Sequence, residues 1–121
     1  MAHQQYQSCI TACNDCAAAC DHCAAACLQE TDVTMMARCI ALDIDCATIC
    51  RIATGYMARG SQFAQDVCRL CAQICDECGR ECAQHSHQHC QECAEACRRC
   101  AEECRNMAGS GSSRSSGAMQ G

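Results

Sequence analysis

The chain has 121 residues, enough for one domain around one core, and carries nineteen Cys, no Pro, no Trp, one Phe and two Tyr. Its net charge of −5 comes from fourteen acids against nine Arg with no Lys; with no basic stripe and no aromatic stacking set, nucleic acid is excluded as an expected partner. The polar opening Met1–Ser8 lacks the apolar stretch of a signal peptide, and no segment is apolar enough to span a bilayer, so no membrane association is expected.

The first cysteine group is Cys9, Cys13, Cys16, Cys20, Cys23 and Cys27, spaced 4-3-4-3-4. Alternating steps of three and four are the a and d positions of a heptad, one stripe along a helix, here predicted over 4–29. The second group is Cys39, Cys46 and Cys50, in a helix predicted over 32–58 with Thr31-Asp32 as its N-cap. Its rhythm calls for a cysteine at the position that Asp43 occupies, and Met36 lies on the same stripe three residues before Cys39.

Gly60-Ser61 supplies a stop and a new cap before the third group, Cys68, Cys71, Cys75, Cys78 and Cys82, on a helix predicted over 62–84. The fourth, Cys90, Cys93, Cys97, Cys100 and Cys104, repeats the 3-4-3-4 spacing on a helix predicted over 87–107. The residues between the cysteines are Ala, Gln, Glu, Asp and Arg, which favour helix or tolerate solvent. Short connections force antiparallel neighbours, so the expected fold is all-α, an up-down-up-down four-helix bundle over residues 1–108. The Gly/Ser-rich 109–121 reads as a disordered tail.

Nineteen inward cysteines need a chemical reason. As plain packing they leave methyl-sized deficits in every layer, each costing on the order of 1 kcal/mol, so a metal-free core is expected to be under-filled and loosely packed. Disulfides within a stripe are disfavoured, because i, i+4 Cβ atoms lie about 5–6 Å apart where a disulfide wants roughly 3.5–4.5 Å. In a reducing cytoplasm, the expected compartment, dense cysteine points to metal. Soft thiolates select Cu(I), Zn(II) or iron–sulfur clusters. Four thiolates on each Zn(II) leave −2 per site, which repels along a dry tube, whereas one Cu(I) per thiolate is neutral. The reading is a store of multiple Cu(I) ions on core thiolates; the alternative is a zinc-thiolate or disulfide-stapled interaction bundle. An enzyme is not expected, since no thiol–His pair stands out as a nucleophile.

Antiparallel topology brings Met35, Met36 and the run QHSHQHC, with His85, His87 and His89, to one end of the stripe, an expected copper mouth. Tyr6, Ile52, Tyr56, Met57, Phe63 and Met107 fall at the other end as an apolar plug. Asp43 is expected to accept a thiol or His hydrogen bond or to bind copper, because a buried carboxylate otherwise carries a heavy desolvation cost. His3 and His22 read as surface residues.

The CxxxCxxCxxxC rhythm of the first segment, CIALDIDCATIC, CRLCAQICDECGREC and HSHQHCQECAEACRRCAEEC together resemble the cytosolic copper storage proteins over about residues 6–107. The resemblance implies a cytoplasmic homotetramer of cysteine-lined bundles holding many Cu(I) ions; cytosolic copper chaperones or chelators are the expected exchange partners. It maps the core ligands onto the nineteen cysteines, and the mouth ligands onto His85–His89 and Asp43.

Overall fold

The structure, a computed structural model, describes residues 6–117, with side chains through 109. Helix α1 spans Gln7–Cys27, a 3-10 turn covers Val33–Met36, α2 spans Ala37–Ala58, α3 Ala64–Ala83 and α4 Gln88–Gly117. Helix α1 packs on α2, α2 on α3, α3 on α4, and α4 returns to α1. That closed ring is the expected antiparallel four-helix bundle, with no strand among the described residues.

Boundaries follow local chemistry. Gly60 takes φ 65°, the left-handed conformation that favours glycine, and so ends α2. The Ser61 hydroxyl then accepts the Phe63 amide at 3.0 Å. Asp32 precedes the 3-10 turn, not an α-helix, and its side chain makes no capping bond; the second helix proper starts five residues later than expected. Helix α4 continues to Gly117, beyond residue 107 and across most of the Gly/Ser-rich stretch, while residues 118–121 lie outside the described ones.

All nineteen cysteines are fully buried. The remaining core is Ala with two isoleucines, Ile10 and Ile49, and two methionines, Met36 and Met57. The expectation of an under-filled core is corrected here. Interhelical sulfurs meet at 3.4 Å for Cys39–Cys82 and Cys46–Cys75, and at 3.5 Å for Cys9–Cys104 and Cys13–Cys100. These are contact distances, so sulfur lies on sulfur and the ring of helices has closed until the thiols touch. Small residues permit that closure: a Cβ on Gly79 would sit 3.3 Å from the Cys97 Cβ. Outside, exposed ion pairs such as Arg51–Asp21 at 2.8 Å and Arg105–Asp76 at 2.7 Å link neighbouring helices, each adding roughly 0–1 kcal/mol.

Candidate metal centre

Every cysteine is a free thiol. Sulfurs one turn apart on the same helix lie 3.9 Å apart in Cys16–Cys20, 3.8 Å in Cys23–Cys27, 3.9 Å in Cys71–Cys75 and 4.0 Å in Cys78–Cys82. Interhelical contacts are as short or shorter, so the column belongs to the bundle rather than to single helices. Cys16, Cys46 and Cys97, from α1, α2 and α4, form a triangle with sides of 3.6, 3.8 and 3.9 Å. Three sulfurs around one ion, with bonds of about 2.3 Å, need separations of about 4.0 Å, and a linear pair needs about 4.6 Å. Such a triangle accepts a trigonal ion with shifts of a few tenths of an ångström.

The possible ligand sets overlap. Cys16, Cys20, Cys46 and Cys97 form one four-sulfur group; Cys16 and Cys46 also join Cys50 and Cys75, and Cys20 and Cys97 also join Cys78 and Cys93. Another group is Cys13, Cys71, Cys100 and Cys104. Isolated structural zinc sites take four ligands each, two to four of them thiols, and share none. A chain of shared sulfurs instead suits many monovalent ions, each adding one positive charge per thiolate.

Asp43, from α2, is wholly buried inside this column. Its Oδ1 accepts from the thiols of Cys78 at 3.2 Å, Cys93 at 3.3 Å and Cys82 at 3.4 Å, and its Oδ2 from Cys39 at 3.8 Å. Loss of water, reinforced by the nearby sulfurs of Cys93, Cys78 and Cys39, pushes its pKa up to about 10. The carboxyl is therefore neutral at pH 7 in the metal-free fold. Unfolding returns it to an ordinary pKa near 3.8, so from about pH 4 to 10 the folded state holds a proton that the unfolded state lacks. Stability then falls as pH rises through that window. Asp43→Asn removes this slope, so its melting temperature, measured metal-free, should gain several degrees on wild type between pH 5 and pH 9. A constant difference across that range contradicts the assignment.

At the mouth, burial raises the thiol of Cys27 to about 11, with Cys39 adding to it, and burial likewise raises Cys90. His89, in the first turn of α4, turns Nδ1 toward Cys23 and Cys90 at 3.6 Å and Cys27 at 3.9 Å. These four residues form one possible ligand group. The other two histidines do different things. The Nε2 of His85 pairs with Glu81 at 2.8 Å, and Arg38 reaches the same carboxylate at 3.3 Å. His87 stacks on His89 with centroids 5.4 Å apart, and lies 3.5 Å from Glu30 and 3.4 Å from Asp32.

Met36 is fully buried, but Met35 is 74 % exposed, so the two methionines do not converge. At the far end Met57 is buried, with Tyr6, Tyr56 and Met107 packed against the core. Ile52 and Phe63 are exposed, which reduces the expected plug to those four residues. His22 is exposed, and His3 lies outside the described residues. Glu30, Asp32, Glu81 and Arg38 were not anticipated. The signal available was the acidic pair in Glu30-Thr31-Asp32, which antiparallel pairing sets opposite the histidine run.

A family model described as copper storage protein matches residues 2–109. The Cu(I)-bound copper storage protein BsCsp3 is 50% identical, with 85% of this chain and 97% of that chain covered and a TM-score of 0.82. The apo copper storage protein 3 from Bacillus subtilis is 48% identical over 85% of this chain and 98% of that one, TM-score 0.80. A cytosolic copper storage protein from Streptomyces lividans, with five coppers, is 38% identical over 89% and 95%, TM-score 0.85.

Proposed function

This chain belongs to the copper storage protein family, and we infer from that premise that its column of buried thiols is a Cu(I) store. The observation that carries the reading is the continuous set of nineteen free, fully buried cysteines whose ligand groups share sulfurs. Each Cu(I) displaces one thiol proton and leaves a neutral Cu–S unit, so loading proceeds along the column without accumulating charge. Asp43, set among four thiols, is a further ligand or a hydrogen-bond acceptor for those thiols within the column, and His89 is the first nitrogen donor at its mouth. Met36, His85 and His87 complete the mouth, as ligands or as groups that orient them.

Membership of the family supports the cell-level part of this reading: a cytoplasmic homotetramer that buffers copper and supplies it to copper enzymes through chaperones or small chelators, without catalysis of its own. No described helix is long and apolar enough to cross a membrane. Sedimentation mass and cell fractionation test the assembly and the compartment.

The primary experiment is an anaerobic titration with Cu(I) against a coloured chelator. Binding should continue far past four equivalents and approach one ion per cysteine, about as many protons being released as ions bound. Saturation at one or two equivalents contradicts storage. Retention of zinc in place of copper, after growth with both metals, favours the structural alternative.

A further inference from the structure

Glu30 lies just past α1, and its carboxylate accepts the Nε2 proton of His89 at 2.9 Å. Its side chain is 30% exposed, against 13% for His89. A neutral imidazole carries one proton, so a proton held on Nε2 leaves the Nδ1 lone pair bare. That bare nitrogen faces Cys23, Cys27 and Cys90. Carboxylates that receive the far N–H of a ligating histidine fix its tautomer and ring orientation and raise its basicity.

We propose that Glu30 is a positioning residue for copper loading: it locks His89 with Nδ1 directed at the outermost thiols, ready to receive Cu(I). The proposal rests on the storage reading and on His89 as a mouth ligand. Three placements support it. Glu30 comes from the α1–α2 connection and His89 from α4, so the bond clamps two segments across the opening. His87 stacks nearly parallel to His89, 4° between planes, and restricts rotation of its ring. Among the described residues the remaining hydrogen-bond partners of His89 are three thiols, each able to donate or accept, so with Glu30 removed no acceptor-only group selects Nε2 as the protonated nitrogen.

The test uses the full chain in three forms: wild type, Glu30→Ala, and Glu30→Gln, whose amide oxygen still accepts a hydrogen bond. Long-range proton–nitrogen NMR of the metal-free protein, at a pH where imidazole is neutral, should give His89 as the single Nε2-protonated tautomer in wild type and in Glu30→Gln, and a mixture in Glu30→Ala. Stopped-flow transfer of Cu(I) from a coloured chelator should be about 10-fold slower in Glu30→Ala and near wild type in Glu30→Gln, with final capacity unchanged. In a His89→Ala background, Glu30→Ala should slow uptake no further. An unchanged tautomer, an uptake rate within twofold of wild type, or equal slowing in the His89→Ala background overturns the proposal. The NMR readout involves no copper, so wild type that stops at one or two equivalents would sink the storage reading separately.

Discussion

Full loading with Cu(I) should raise the melting temperature of the protein by at least about 20 °C under anaerobic conditions. A ligand held at a hundred times its dissociation constant contributes about 2.7 kcal/mol per site, and about five such ions exceed the stability of an ordinary domain. For a domain of this size, 1 kcal/mol corresponds to roughly 3–5 °C. The full sum is not realised, because the unfolded chain keeps its thiols and binds copper as well. What remains is the differential, and the fold makes it large. Triangles such as Cys16, Cys46 and Cys97 recruit three helices to one ion and are already within a few tenths of an ångström of trigonal spacing. No flexible chain presents sulfurs from such distant positions without an ordering cost. Calorimetry of the apo and loaded forms checks this, and an unchanged transition at full loading would mean that copper binds without recognising the fold.

The second large effect is expected from emptying that same triangle. The triple variant Cys16→Ala, Cys46→Ala, Cys97→Ala removes three fully buried sulfurs from one level of the column. Because the sulfurs are in van der Waals contact, each deletion opens a void costing on the order of 1 kcal/mol. The metal-free protein should then melt roughly 10–15 °C lower. Copper capacity should fall by about three equivalents while the levels above and below continue to fill. A variant as stable as wild type contradicts the contact packing. A variant that loses most of its capacity shows that ions pass through this level to reach the closed end, since loading from the mouth is otherwise local.

Much of this protein can be read without coordinates. The 3-4 spacing of the cysteines states which helix face turns inward, and the acids, Arg and Ala between them state which face meets water. Asp43 stood out because it breaks that rhythm, and it is indeed buried among thiols. The closed end was less legible. Tyr6, Met57 and Met107 pack against the core as their chain positions suggest, but Ile52 and Phe63 point outward, since position near a helix end does not decide which way a side chain faces.

By itself, then, the sequence determined four helices, their antiparallel order, a sulfur-lined interior and its preference for a soft monovalent ion. Each is a property of one helix, one short loop or the charge of one ligand type, so local periodicity and composition suffice. Only the tertiary structure decided the rest: that sulfurs from different helices touch, that His89 and not its neighbours turns to the thiols, and that Glu30 holds it there. Those relations depend on the rotation and axial offset of one helix against another. Close packing of many small side chains sets both, and no single segment records them.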